Sequence, residues 1–149
     1  MTLRVFTARL GLRDRDVLDI TRKSARGDGL AFAPSWSILR PALDELKTAR
    51  DEIGFASCAL DDLNGRWRER RAWWGYVAAY MREMRESYQR DRGPWERLLS
   101  CSRVILCCYC TDPDRCHRTI LAASILPQFG AEYAGEVDAA ALEMLGGGR

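Results

Sequence analysis

The chain has 149 residues, 47% hydrophobic and 30% charged, with a formal net charge of +2. That length buries an ordinary core without staples, and that balance belongs to a folded domain rather than a disordered segment. No apolar run reaches the length of a membrane span, and the opening M-T-L-R-V-F-T-A-R-L-G lacks the apolar core of a signal peptide, so a cytoplasmic protein without membrane contact is expected.

Residues 3–8 read as a first strand and 16–20 as a second, joined by a short polar connection. A basic, glycine-containing loop then runs to Pro34. A helix is expected from Pro41, because proline is preset for a first helical turn. Its apolar positions Ala42, Leu43, Leu46, Ala49 and Ile53 keep helical spacing, and Gly54 supplies a stop. Residues 55–60 read as a short strand. Over 70–90 the helical period is clearest: Trp73, Val77, Tyr80, Met84 and Tyr88 recur at three- and four-residue steps. Gly93-Pro94 breaks this helix, and a short one with Trp95, Leu98 and Leu99 follows. Trp36 and Trp95 are expected as core anchors. Residues 104–109 form a strand by their apolar, branched run. Residues 116–129 are helical, with Pro127 an early stop; 133–137 make a last strand, and 146–148 a loose tail.

Strands alternating with helices predict an α/β fold. The expected architecture is a single domain over residues 1–145, with a mostly parallel sheet, helices on both faces in Rossmann-like three layers, and a flexible tail over 146–149. Ligands in such sheets sit beyond the carboxyl ends of the strands. There the first strand delivers Thr7 and Arg9, the second Asp19, Arg22 and Lys23, and the third Cys108 and Cys110.

The segment R-V-I-L-C-C-Y-C-T-D-P-D-R-C-H-R, residues 103–118, holds four of the six cysteines and the only histidine. In a reducing compartment such thiols are metal ligands or catalytic groups before they are disulfides. Side chains alternate along a strand, so Cys108 and Cys110 share one face and Cys107 points into the core on the other. Asp112 or Asp114 is a good helix N-cap, which puts Cys116 and His117 in the first helical turn. Unpaired backbone N–H groups there favour a thiolate at Cys116, and Arg118 adds a fork for an anion.

The same residues resemble the family known as domain of unknown function 488, marked by a strand ending in cysteine, a short loop, and Cys-His-Arg opening a helix. Cys108 takes the strand-end position, and Cys116, His117 and Arg118 the second part. The family's Asp-x-x-Arg-like pattern after its second strand looks matched by Asp19 and Arg22. A branch found in prophages and bacteria is similar also over W-W-G-Y-V-A-A-Y-M-R-E-M-R-E-S-Y-Q-R-D-R-G-P-W-E-R-L-L and over G-A-E-Y-A-G-E. Many relatives carry glutamate where this chain has Cys110, so a carboxylate role there is lost or passes to a thiol. The resemblance implies an α/β fold with the motif at one pocket, and no established reaction.

Four functions fit these residues. The leading one is a pocket that binds or acts on a nucleotide-like or other phosphate-bearing ligand, an anionic small molecule or nucleic-acid component. In it Cys116 is nucleophile or polar wall, His117 a proton carrier, Asp19 a base or orienting group, and Arg22 and Arg118 anion clamps, with Arg9, Cys108 and Cys110 alongside. Whether the protein is an enzyme is left open, as is its oligomeric state. The second is nucleic-acid binding by the arginine- and tryptophan-rich segment 66–97, for which Arg82, Arg85 and Trp74 are the chosen contacts. The third is a zinc or other thiophilic metal site from Cys108, Cys110 and Cys116, with His117 as a further candidate. No metal ligand or cofactor is assigned outright, because C-x-C-x5-C-H lacks the usual C-x2-C knuckle and adjacent Cys116 and His117 are expected to diverge at a helix start. The fourth, thiol transfer through Cys110-x4-Arg115, is weakened by Pro113, which deletes a loop N–H, and by the charges of Asp112 and Asp114.

Overall fold

The computed structural model describes residues 2–146. Its contacts sort the chain into two compact units, Pro34–Glu83 on the one hand and Met1–Ala33 with Met84–Arg149 on the other. The second of these contains a four-stranded sheet of β1 (Arg4–Arg9), β2 (Val17–Asp19), β3 (Arg103–Cys108) and β4 (Glu132–Glu136), in the order β2-β3-β1-β4. All three pairings are parallel. With its helices this is the α/β fold expected.

Central β1 and β3 are buried along nearly their whole length, which is why they read as continuous apolar runs. Phe6, Ala8, Ile105 and Cys107 face one side and form an apolar cluster with Leu142 of α5 (Ala139–Met144). Leu10 and Leu12, in the helix-free return from β1 to β2, cover the same face. Cys107 is thus core, and burial pushes its thiol up to about 12. The opposite face presents Thr7 and Cys108, and α4 (His117–Ile120) begins over it. The chain leaves β1 toward β2 on one side and leaves β3 toward β4 on the other, so adjacent carboxyl ends of β1 and β3 form a topological switch point.

β4 carries a bulge. Val5 pairs with Tyr133 but Phe6 pairs with Gly135, and Gly135 takes a left-handed φ of 110° that a side chain would resist. The extra residue turns both Tyr133 and Glu136 toward the Thr7 face.

Several boundaries differ from the sequence reading. The helix expected from Pro41 is α1 (Trp36–Gly54); Pro41 lies inside it, early and on an exposed side. Trp36 is no core anchor: it is 43% exposed, under the Arg40 guanidinium. No strand forms over 55–60. Phe55 is exposed, and the long helix α2 (Ala59–Arg90) begins eleven residues earlier than its strongest period, with Asp61 and Asp62 suiting its first turn. Gly65 explains the close approach of α2 to α1, because a Cβ there would stand 2.7 Å from Ile53 Cγ1.

α3 (Gly93–Leu99) carries Trp95, which is buried as expected against Phe32, Tyr88 and Phe129, its indole N–H donating to Ser87 Oγ at 3.2 Å. Past α4 the chain does not stop early at Pro127. It widens into a π-turn over Leu121–Ile125 and tightens into a 3-10 turn to Phe129, closed by left-handed Gly130. The widening accommodates a proline that has no N–H to give. Helix α5 was not anticipated; Asp138 caps it by accepting the Ala141 N–H at 2.8 Å. Of the expected tail, Gly146 forms a turn and residues 147–149 lie outside the described residues. Among the described residues no helix is long and apolar enough to cross a membrane.

Candidate metal centre

β3 ends by aiming Cys108 at the face where α4 begins, and Cys110 follows two residues on. The next turn, Pro113–Arg115, is capped by Asp112, whose carboxylate accepts the Asp114 N–H at 2.9 Å. Neither aspartate caps α4. That position falls to Cys116, whose backbone is extended (φ −141°, ψ 142°), and helical geometry starts only at His117. The difference matters, because an extended Cys116 lets two adjacent side chains turn to the same point. Cys116 Sγ lies 3.9 Å from His117 Nδ1, and Cys108 Sγ lies 3.9 Å from the same nitrogen. The expected divergence of these neighbours at a helix start does not occur.

Cys108 Sγ donates to Cys110 Sγ at 3.9 Å, and the ligand atoms of Cys108, Cys110 and Cys116 all fall within 4.8 Å of one another. His117 Nε2 is 2.7 Å from the carbonyl oxygen of Ile20, the residue just past β2. An acceptor there requires the proton on Nε2, which leaves the Nδ1 lone pair facing the sulfurs. Burial pushes the imidazole down to about 4, so it is neutral at physiological pH.

The thiols differ in charge. Cys110 is held well below the ordinary thiol range by the S–H groups of Cys108 and Cys116, with the charge of Arg118 adding to the effect. Cys108 is pushed up to about 11, first by its hydrogen bond to Cys110, and Cys116 is pushed up by its bonds to both neighbours and by burial. One thiolate thus sits between two thiols. Only Cys110 is partly exposed; Cys108 is buried and Cys116 is 1% exposed.

Arg118 closes the arrangement from behind. It is itself 1% exposed and donates to the Cys110 carbonyl at 2.9 Å and to Glu136 at 3.0 and 3.2 Å. Glu136 accepts also from Thr7 Oγ1 at 3.0 Å, and Thr7 bonds the Tyr133 hydroxyl at 2.8 Å. Burial alone would lower the pKa of Arg118, but the Glu136 bonds hold it above the ordinary value.

The residues named from sequence therefore divide. Cys108, Cys110, Cys116, His117 and Arg118 converge. Asp19 and Arg22 lie on the segment that supplies the Ile20 carbonyl, but their polar atoms are turned to other work. Asp19 organises a turn by accepting from Thr21 N at 2.9 Å, from Thr21 Oγ1 at 2.7 Å and from Ser24 Oγ. Arg22 donates to the Ala33 carbonyl at 2.7 Å. Arg9 is exposed at the end of β1, in register with Cys108. Trp74, Arg82 and Arg85 are exposed on α2. Sequence reasoning missed Glu136 and the Ile20 carbonyl. The first stood at the end of G-A-E-Y-A-G-E, but only the bulge reveals which way it faces; the second is a backbone atom and leaves no sequence signal.

Fold and site together define a parallel α/β protein with a buried thiol–imidazole cluster at the carboxyl edge of its sheet. The family model described as "DUF488-N3a: Active DUF488-N3 subclade" matches residues 60–128, a segment that contains Cys108, Cys110 and the Cys116-His117-Arg118 junction. This match supports the resemblance to the DUF488 family read from the sequence. No curated protein and no solved structure shows a significant match to it.

Proposed function

We propose that Cys108, Cys110, Cys116 and His117 hold one thiophilic divalent cation, zinc first, in a closed site that ties the carboxyl end of β3 to the start of α4. One observation carries this reading: the sulfurs of Cys108, Cys110 and Cys116 lie within 4.8 Å of one another, and His117 Nδ1 lies 3.9 Å from two of them, with Nε2–H anchored on a backbone carbonyl. Tetrahedral zinc with Zn–S of about 2.3 Å and Zn–N of about 2.0 Å asks for sulfur–sulfur separations of about 3.8 Å and sulfur–nitrogen separations of about 3.5 Å. The values of 3.9 Å for Cys108–Cys110 and for the Cys108–His117 and Cys116–His117 pairs lie close to these. A ligating histidine ordinarily donates its second N–H to a carbonyl or carboxylate, as His117 does to Ile20. Four protein ligands, of which Cys108, Cys116 and His117 are buried, suit a structural ion better than a catalytic one. The reading takes the protein to be cytoplasmic, where its free cysteines stay reduced.

The test is reconstitution of the full chain with Zn²⁺ or Co²⁺ under reducing conditions, followed by metal analysis and absorption spectroscopy. One equivalent of metal and the intense visible bands of tetrahedral Co²⁺–thiolate are expected; His117→Gln should shift those bands and Cys110→Ser should weaken binding. Substoichiometric metal after reconstitution defeats the proposal.

A second reading, a thiol enzyme or binding site for a phosphate-bearing ligand, draws on Cys110 itself. This partly exposed group is ionised at neutral pH, which is what a nucleophile needs. In this reading the exposed Arg9 is the free anion contact, since Arg118 is already bound to Glu136. Rapid, stoichiometric alkylation of Cys110 that a nucleoside phosphate suppresses would favour it over the closed metal site.

A further inference from the structure

We propose that the outward ridge of α2 is a binding surface for single-stranded nucleic acid, sequence-tolerant and independent of the cysteine cluster. Trp67, Arg70, Arg71, Trp74, Ala78 and Arg82 recur at three- and four-residue steps, so they share one side of the helix, and all six are exposed. Trp67 is 60% and Trp74 61% exposed, far more than a structural tryptophan needs. The structure separates these residues from others of the same types. Trp73, Tyr76 and Tyr80 are buried on the opposite side, and Arg66 and Arg68 are neutralised by Asp62 at 2.8 Å and Glu52 at 2.9 Å.

Charge is sorted by helix face. Asp61, Asp62, Glu69 and Glu83 all lie off the ridge, and Glu86, one turn past Arg82, borders its far end, so from Trp67 to Arg82 α2 presents arginine without a carboxylate between the rings. Arg70 and Arg82 have no carboxylate partner among the described residues. Asp44 and Glu45 of α1 border the groove beside Trp67 and Arg71 and mark the edge that a phosphate backbone would avoid. Arg71 lies over the Trp67 ring, 5.4 Å from its centroid, which shows how a planar cation or base sits on that surface. The two tryptophans are seven residues apart, about 10 Å along the axis, leaving room for a base on each ring.

This chemistry selects its occupant. Arginine with stackable rings is the means of sequence-tolerant single-strand binding. A bilayer-binding helix gathers its cations along the borders of a continuous apolar face, whereas here they interrupt it between the rings. An acidic protein would satisfy the arginines but has no particular use for two isolated, upright indoles.

Fluorescence anisotropy of labelled 20-nucleotide oligo-dT and oligo-U with the full chain, from 50 to 300 mM KCl, tests the proposal. Binding is expected with a log–log salt slope of about −2, from three arginines at about 0.7 each. Trp67→Ala and Trp74→Ala should each weaken it about tenfold, with Trp74→Phe recovering most of the loss. Arg70→Glu with Arg82→Glu should cut the slope by about 1.4. Circular dichroism and melting temperature should not change in these surface variants, and Cys110→Ser should bind as the parent does. The absence of binding at 50 mM KCl overturns the proposal. So does affinity unaffected by the tryptophan variants, or equal competition by polyglutamate, either of which means a polyanion surface without stacking. Capture by phosphatidylserine vesicles but not by the oligonucleotides would overturn it in favour of a membrane surface.

Discussion

The ion pair of Arg118 and Glu136 behind the cysteine cluster is directly open to measurement. Glu136→Gln keeps the shape of the side chain and removes its charge, leaving a guanidinium that is 1% exposed with neutral acceptors and no counter-charge from Glu136. Breaking a fully buried ion pair by one partner costs about 3–5 kcal/mol. The Glu136 side chain keeps 32% of its exposure, so solvent screens part of this and about 2–3 kcal/mol is expected. For a chain of this length that corresponds to a melting temperature lower by about 5–10 °C. Glu136→Gln combined with Arg118→Met removes both charges, and should cost less than the sum of the single changes by about 2 kcal/mol. Urea unfolding followed by near-ultraviolet circular dichroism measures all three variants, with an unchanged m-value confirming that stability alone has moved. A loss under about 0.5 kcal/mol for Glu136→Gln, or strict additivity in the double variant, would mean that the bulge in β4 does not deliver Glu136 to Arg118.

Two further outcomes follow from the same geometry. Because Cys108 and Cys116 hold their protons at pH 7 while Cys110 does not, cation binding at the cluster should expel about two protons, and apparent affinity should rise by up to about 100-fold per pH unit between pH 6 and 8. Calorimetry in buffers of different ionisation enthalpy counts those protons, and a count near zero contradicts the assigned charges. Gly29→Ala should destabilise by more than about 2 kcal/mol, since its Cβ would stand 2.0 Å from the Asp19 carbonyl oxygen, while Gly54→Ala, with nothing within 4 Å, should change stability by less than about 0.5 kcal/mol; thermal melts of the two separate a backbone clash from a general intolerance of alanine.

Much of the fold was legible in the sequence because β1 and β3 are buried on both faces, and such strands announce themselves as apolar runs between polar ends. The alternation that sends Cys107 one way and Cys108 the other is a property of any extended strand, so half of the cysteine cluster is legible in the sequence. What was not readable depends on single backbone conformations. Whether Cys116 is the last extended residue or the first helical one decides whether its sulfur meets the His117 ring, and the sequence is compatible with both. The bulge that turns Glu136 inward rests on the left-handed φ of Gly135 within an otherwise ordinary strand. The strand expected over 55–60 failed because a short run containing Phe55 and Leu60 carries no period, and both side chains are exposed. Helix α5 was missed although Asp138 before three alanines and a leucine is a fair cap and start, since six residues are too few for a period to stand out.

Closed metal site and reachable nucleophile make opposite demands on the same sulfurs, and that contrast can be counted. Cys58 and Cys101 are exposed, Cys110 is partly so, and Cys107, Cys108 and Cys116 are buried. Without metal, Ellman's reagent should therefore titrate three thiols quickly, with Cys110 the fastest because it is already a thiolate. A bound zinc ion takes the Cys110 lone pair and should leave two fast thiols, with the full six appearing only after denaturation and chelation. A nucleophilic site predicts otherwise, with Cys110 remaining fast whatever metal is added. If Cys116 were to react at the rate of Cys58 in the metal-treated protein, its sulfur would have to leave the interior faster than the reagent attacks, and neither the closed site nor the packing of α4 against the end of β3 would survive that result.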